Sequence, residues 1–230
     1  MAGCFVRTAL SLRLFLDSAD PEAWRQWLPT GLFHGVTTNP TLLQRAGQPC
    51  SLAGLAQLTA QALELGAREV QLQAWGGSGD AMQDCGQALA AIAPSRVVVK
   101  LPVTREGSLA AHRLISAEIP VTLTACYEPS QVLVAAALGA TYLAPYLGRI
   151  NDLGRDGLSD LRTMQRCVDG LGSPLRLLVA SVRQVSDLIV LASAGLTTFT
   201  ISETIATGLF SAEATNRAAL MFEQQASGLV

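Results

Sequence analysis

Short apolar runs bounded by turn residues recur along the chain, each followed by a longer stretch of helical composition. The runs are LRLFLD (12–17), GVTTN (35–39), EVQLQAW (69–75), RVVVKLP (96–102), PVTLTAC (120–126), TYLAPY (141–146), LRLLVAS (175–181) and TFTIS (198–202). Segments such as 51–65, 107–118, 128–138, 156–170 and 185–194 are rich in Ala, Leu and Gln, with apolar residues at helical spacing. Alternating strands and helices require parallel pairing through right-handed crossovers. Several runs are continuously apolar, as a sheet covered on both faces demands. Eight such units in 230 residues fit a closed (β/α)8 (TIM) barrel better than an open doubly wound sheet, and no Gly-x-Gly-x-x-Gly follows the first run. The reading is one α/β barrel domain over 12–230, after a short N-terminal extension at 1–11. A final helix at 212–225 carries Ala214, Ala218, Met221 and Phe222 and either packs on the barrel or meets another subunit.

Composition narrows the partners. At 50% hydrophobic and 15% charged residues with a net charge of −2, the chain buries a sizeable core and lacks the basic runs of a nucleic-acid binder. The cysteines (Cys4, Cys50, Cys85, Cys126, Cys167) form no Cys-x-x-Cys pair, and with only His34 and His112 beside them neither a disulfide framework nor a metal site is expected. No apolar run reaches the roughly 18 to 20 residues of a membrane span. The opening MAGCFVRTALSLRLFLD runs through Arg13 into Asp17 without a small-residue cleavage pattern, so no targeting peptide and a cytoplasmic location are expected.

Of 16 lysine and arginine residues, one is lysine: Lys100, within RVVVKLPVT. Drift towards arginine explains a surface, where any cation serves, but not this exception inside an apolar run. Only an ammonium readily loses its proton and attacks a carbonyl. In barrels of this kind the chemistry gathers where strands end. The runs deliver Asp17; Thr37, Thr38 and Asn39; Gln71 and Gln73; Lys100; Thr122 and Thr124; Tyr146 and Arg149; Ser181 and Arg183; Ser202 and Glu203. Desolvation, with positive charge from Arg149 or Arg183, would lower the pKa of Lys100 and suit it to imine formation. The iminium itself withdraws electrons, so carbon–carbon cleavage needs neither a metal nor an organic cofactor. Asp17 is the best-placed proton carrier, the competing reading being a helix cap in DSADPE. Arg149 lies close enough to Asp152 in sequence to read as its surface ion-pair partner.

The stretches LFLDSAD, GVTTNPTLL, VVVKLPVTREG, TLTACY, GATYLAPYLGRIND and LVASVR, in that order, resemble the transaldolase and fructose-6-phosphate aldolase family of small class I aldolases. The resemblance covers about 12–225 and implies a barrel with Lys100 as imine former and Asp17 as acid/base. It further implies that Asn39 binds near the substrate hydroxyls, that Thr124 holds a catalytic water, that Thr37 lines the site, and that Arg149, Ser181 and Arg183 receive the phosphate of a sugar phosphate. Family members form closed rings, some with the C-terminal helix covering a neighbour, so a homo-oligomer is expected.

Two positions separate the branches. Transaldolases carry glutamate on the third strand and phenylalanine before the Gly-Arg segment, whereas fructose-6-phosphate aldolases carry glutamine and tyrosine, as this chain does at Gln73 and Tyr146. Gln71 remains the alternative to Gln73. An amide cannot carry a proton, so the phenol would position the water, favouring release of free dihydroxyacetone. Gly148 and Arg183 are instead transaldolase-like, which keeps transfer of a dihydroxyacetone unit between sugar phosphates as the alternative. A non-catalytic sugar-phosphate-binding barrel would not need Asp17, Lys100 and Tyr146 together. A deoxyribose-phosphate aldolase pairs two lysines, which this chain cannot. His34 and His112 read as core or surface residues, and Trp24 and Trp27 as packing residues of a helix.

Overall fold

The structure is a computed structural model that describes residues 11–228; the extension expected before the barrel, with Cys4, falls outside the described residues except for Ser11. Eight strands, β1 (Arg13–Asp17), β2 (Gly35–Thr37), β3 (Glu69–Gln73), β4 (Val97–Pro102), β5 (Val121–Cys126), β6 (Tyr142–Pro145), β7 (Arg176–Val179) and β8 (Thr198–Ile201), pair in parallel and in sequence order to close a barrel. The single (β/α)8 barrel read from the sequence is the observed fold. Several strands stop short of their apolar runs because the next residue has another task. Asn39, Ser78, Thr104 and Ser202 each accept a backbone N–H as helix caps, so polar residues after a strand start the next helix. Gly35 in β2 is required by close approach: a Cβ there would lie 2.0 Å from the Glu69 carbonyl oxygen.

Strand alternation splits the core in two. Leu16, Val36, Leu72, Val99, Leu101, Leu123 and Val179 point outwards and pack beneath helices. Phe15, Val98, Tyr142, Ala144 and Leu178 form a separate cluster inside the barrel. Below it, the first residues of strands make a polar plug. Glu69 of β3 accepts from Arg13 of β1 at 2.8 Å, from His34 Nε2 at 3.0 Å and from the Tyr142 hydroxyl at 2.8 Å. Arg13 also bonds the Tyr142 hydroxyl, and Arg176 donates to the Ser11 carbonyl (2.9 Å) and the Thr198 hydroxyl (3.1 Å).

The final helix, Glu213–Ala226, buries no residue, and Leu220, Met221 and Phe222 stand in the open, Phe222 at 68% exposure. Of the two roles expected for it, packing on the barrel is not what it does. Among the described residues no helix is long and apolar enough to cross a membrane.

Candidate active site

A cavity opens at the C-terminal end of the barrel. Asp17, Asn39, Lys100, Thr124, Tyr146, Arg149 and Ser181 line it, together with Thr41, Leu42, Arg45, Ala144, Leu178, Ala180 and Thr200. Lys100 reaches into it from β4 while its neighbours Val99 and Leu101 point outwards into the core. Its residue is 6% exposed and its Nζ donates to the Thr38 carbonyl at 2.8 Å. Burial holds the amine below the usual lysine range, and the Asp17 carboxylate opposes that shift. Neither of the arginines expected to help is among its causes: Arg183 is paired with Asp152, and Arg149, though it lines the cavity, does not shift the amine.

Asp17 ends β1 with its side chain free for the cavity, since Asp20 caps the Pro21–Trp27 helix by accepting from the Glu22 N–H at 2.9 Å. Its Oδ1 accepts from the Thr37 hydroxyl at 2.7 Å, and Thr37 lies 2.5 Å from the Thr200 hydroxyl. A carboxylate only accepts, so the chain runs Thr200 to Thr37 to Asp17 and fixes the carboxylate's orientation. Thr37 is fully buried and supports Asp17 rather than lining the cavity.

On the opposite wall the Thr124 hydroxyl lies 2.7 Å from the Tyr146 hydroxyl. Past Thr124 the β5–β6 register shifts, with Ala125 at φ 56°, and this bulge turns the end of β5. Arg149 stacks over the Tyr146 ring at 4.8 Å, and a hydrogen bond with Tyr127 does most to hold its guanidinium in the charged form. Ser181 adopts φ 57°, a left-handed conformation costing a non-glycine residue of order 1 kcal/mol. Its carbonyl accepts from the Gly148 N–H at 2.9 Å, and a Cβ on Gly148 would lie 2.5 Å from that oxygen and 2.7 Å from Arg183 Nε. Glycine at 148 is thus tied to the conformation of the Ser181 turn.

Three expected site residues lie outside the cavity lining. Thr37 is the buried support just described. Arg183 makes a bidentate pair with Asp152 at 2.6 and 2.5 Å, taking the partner considered for Arg149. Gln73, in register with Lys100, donates its Nε2 to the carbonyls of Lys100 (3.0 Å) and Ala74 (3.2 Å), leaving Oε1 as its acceptor. Gln71 lies deeper on the same barrel-facing side, fully buried, with its Oε1 accepting from the Thr122 hydroxyl at 2.8 Å. Ser202 caps the Glu203–Gly208 helix, and Glu203 accepts from Ser18 at 3.2 Å. Sequence reasoning missed Thr41, Leu42 and Arg45, carried on a helix (Pro40–Arg45) too short to display an amphipathic repeat, and Thr200, which strand parity in TFTIS could have found. His34 is a member of the polar plug, and Trp24 is buried with its Nε1 donating to the Ser18 carbonyl at 3.1 Å.

A closed (β/α)8 barrel with its polar cavity at the strand ends defines an enzyme architecture. Its backbone is similar to dihydrodipicolinate synthase from Rhodopseudomonas palustris (TM-score 0.57, 84% of this chain and 70% of that one), a likeness at 13% identity that concerns the fold alone. In sequence, residues 14–229 match the model of the Transaldolase/Fructose-6-phosphate aldolase family. The chain is 36% identical over 199 residues to a "Probable transaldolase" of Caulobacter vibrioides, spanning 86% of this chain and 89% of the relative. It is 32% identical over 206 residues to "Probable transaldolase 2" of Listeria monocytogenes, spanning 90% and 92%. The chain belongs to the transaldolase/fructose-6-phosphate aldolase family and is an enzyme of that family.

Proposed function

We propose that the chain is a class I aldolase that cleaves fructose 6-phosphate to dihydroxyacetone and glyceraldehyde 3-phosphate, and forms it from them, through an imine on Lys100. The observation that carries this reading is the burial of the chain's only lysine, its amine facing a cavity that also holds Asp17. The neutral amine adds to the ketose C2, and loss of water gives the iminium. Asp17 takes the C4 hydroxyl proton, the C3–C4 bond breaks, and its electrons flow to the iminium nitrogen, leaving an enamine and releasing the aldehyde. Protonation at C3 regenerates an iminium, and water frees dihydroxyacetone and the amine. Thr124 and Tyr146 hold that water, with Gln73 Oε1 as a further acceptor. Asn39 spends its Oδ1 on the Leu42 N–H at 3.0 Å, so its NH2 is the group left to bind a substrate hydroxyl. Arg149 and Ser181 receive the phosphate, with Arg183 joining them once it leaves Asp152.

The lyase reading rests on Gln73 and Tyr146: the amide carries no proton, and the Tyr146 phenol beside Thr124 positions the water through which the enamine is protonated and dihydroxyacetone released. Transfer of the dihydroxyacetone unit to a second sugar phosphate is the other reading, favoured by the names of the relatives and by Gly148. Incubation with fructose 6-phosphate alone distinguishes them. Release of glyceraldehyde 3-phosphate supports the aldolase; a strict requirement for erythrose 4-phosphate supports the transaldolase. Borohydride added with the ketose should fix the sugar on Lys100, and the absence of an adduct sinks both.

The free thiols of Cys50, Cys85, Cys126 and Cys167 suit a reducing cytoplasm. The uncovered Glu213–Ala226 helix suits assembly of several copies, for which sedimentation of the wild type and of Phe222→Ser provides the check: a wild-type monomer rejects it.

A further inference from the structure

Arg45 faces the cavity without a counter-ion. It closes the Pro40–Arg45 helix that follows β2, and Thr41, Leu42 and Arg45 line the cavity from that helix. This is the one-sided spacing of i, i+1 and i+4 on a helix whose first turn is pinned by Asn39. Arg149 follows β6, four strands away in a closed barrel of eight, so the two guanidiniums stand on opposite sides of the mouth. Among the described residues Arg45 makes no hydrogen bond or ion pair, whereas Arg183 is held by Asp152, Arg113 by Asp80 and Arg155 by Glu128 and Asp160. The cavity lining contains one carboxylate, Asp17, and that is engaged by Thr37. Cations lining a cleft with low-dielectric walls concentrate anions within it.

We propose that Arg45 is a specificity-determining residue, which recognises the anionic group of the substrate from the wall opposite Arg149 and makes the pocket select phosphorylated over unphosphorylated sugars. The inference rests on the imine reading for the identity of the substrate but not for the anion site itself. A charge-assisted hydrogen bond to a phosphate at a solvent-facing rim predicts about a tenfold effect.

Inorganic phosphate is the probe that needs no turnover. Calorimetric titration should show about tenfold weaker phosphate binding in Arg45→Gln than in the wild type, with most of the affinity restored in Arg45→Lys. With dihydroxyacetone as donor, the ratio of kcat/KM for glyceraldehyde 3-phosphate over glyceraldehyde should fall by a similar factor, through KM rather than kcat. Equal phosphate affinity in wild type and Arg45→Gln, or an unchanged ratio, overturns the proposal. Borohydride capture of dihydroxyacetone on wild-type Lys100 reports separately on the imine, since that sugar carries no anion.

Discussion

The barrel holds two polar clusters, one at each end, and they are built on opposite principles. At the N-terminal end the one carboxylate is paired: Glu69 is met by Arg13, His34 and Tyr142, while Arg176 donates to a carbonyl and a hydroxyl. At the C-terminal end Lys100 is more deeply buried than any of these cations, yet its amine has only a neutral carbonyl as its hydrogen-bond acceptor. The first cluster is satisfied and closes the barrel floor. The second leaves an amine poorly solvated, which costs stability and favours its neutral form. Burial of a cation alone therefore does not set Lys100 apart, since Arg176 is buried without a counter-ion too; what differs is that an ammonium can lose its proton and that a cavity opens before it.

The comparison predicts that the two ends respond to mutation in opposite ways. The largest effect belongs to Lys100→Met, which keeps the volume and removes the amine. Turnover should fall by about 10⁴-fold or more while the melting temperature holds or rises; a marked fall in melting temperature would place Lys100 among the structural cations. At the floor, Glu69→Gln should cost about 1 to 2 kcal/mol in urea unfolding, because it removes the partly buried ion-pair partner of Arg13, and leave kcat within twofold. A loss of activity without a loss of stability would reverse the assignment of the two ends.

The pH dependence separates them further. Burial would raise the Glu69 carboxyl, but hydrogen bonds from His34 and Tyr142 and the charges of His34 and Arg13 outweigh it and hold its pKa below the ordinary 4.5. Its contribution is present above that value and is lost as pH falls through the lowered folded pKa. The Lys100 amine is also held low, so the unfolded chain binds more protons between its folded pKa and the ordinary 10.5, and stability should rise with pH across that window. Urea midpoints against pH should thus show an acid limb removed by Glu69→Gln and an alkaline limb removed by Lys100→Met. The smallest effect is expected from Arg183→Gln: its pair with Asp152 is exposed at the rim, and the melting curve should not move. A change in KM for the phosphorylated sugar alone would show that Arg183 swings from Asp152 into the cavity.

The contrast between the ends also explains what could be read from the sequence. The eight strands were legible because continuous apolar runs encode a sheet covered on both faces, and Lys100 and Asp17 because a charge interrupting or ending such a run is costly. Depth was not legible: Gln71 and Gln73 share one strand face, and period-two alternation cannot say that one is sealed beneath Thr122 while the other meets Lys100. Neither was the pairing of rim arginines, since Asp152 follows Arg149 closely in sequence yet binds Arg183 across two loops. The floor cluster escaped notice because Arg13, Glu69 and Arg176 each look like the polar edge of a strand. Only closure of the barrel brings them together.

The placement of Lys100 also makes the chain its own reporter. A protease that cuts only after lysine has a single target here, in a barrel strand whose Lys100 carbonyl accepts from the Ala74 N–H at 2.9 Å. Cleavage then requires opening of the sheet, and the appearance of two fragments counts molecules that have opened it. A sugar fixed on the same nitrogen would abolish that cut even in the denatured chain, so one digestion followed by mass measurement reads both global opening and covalent capture.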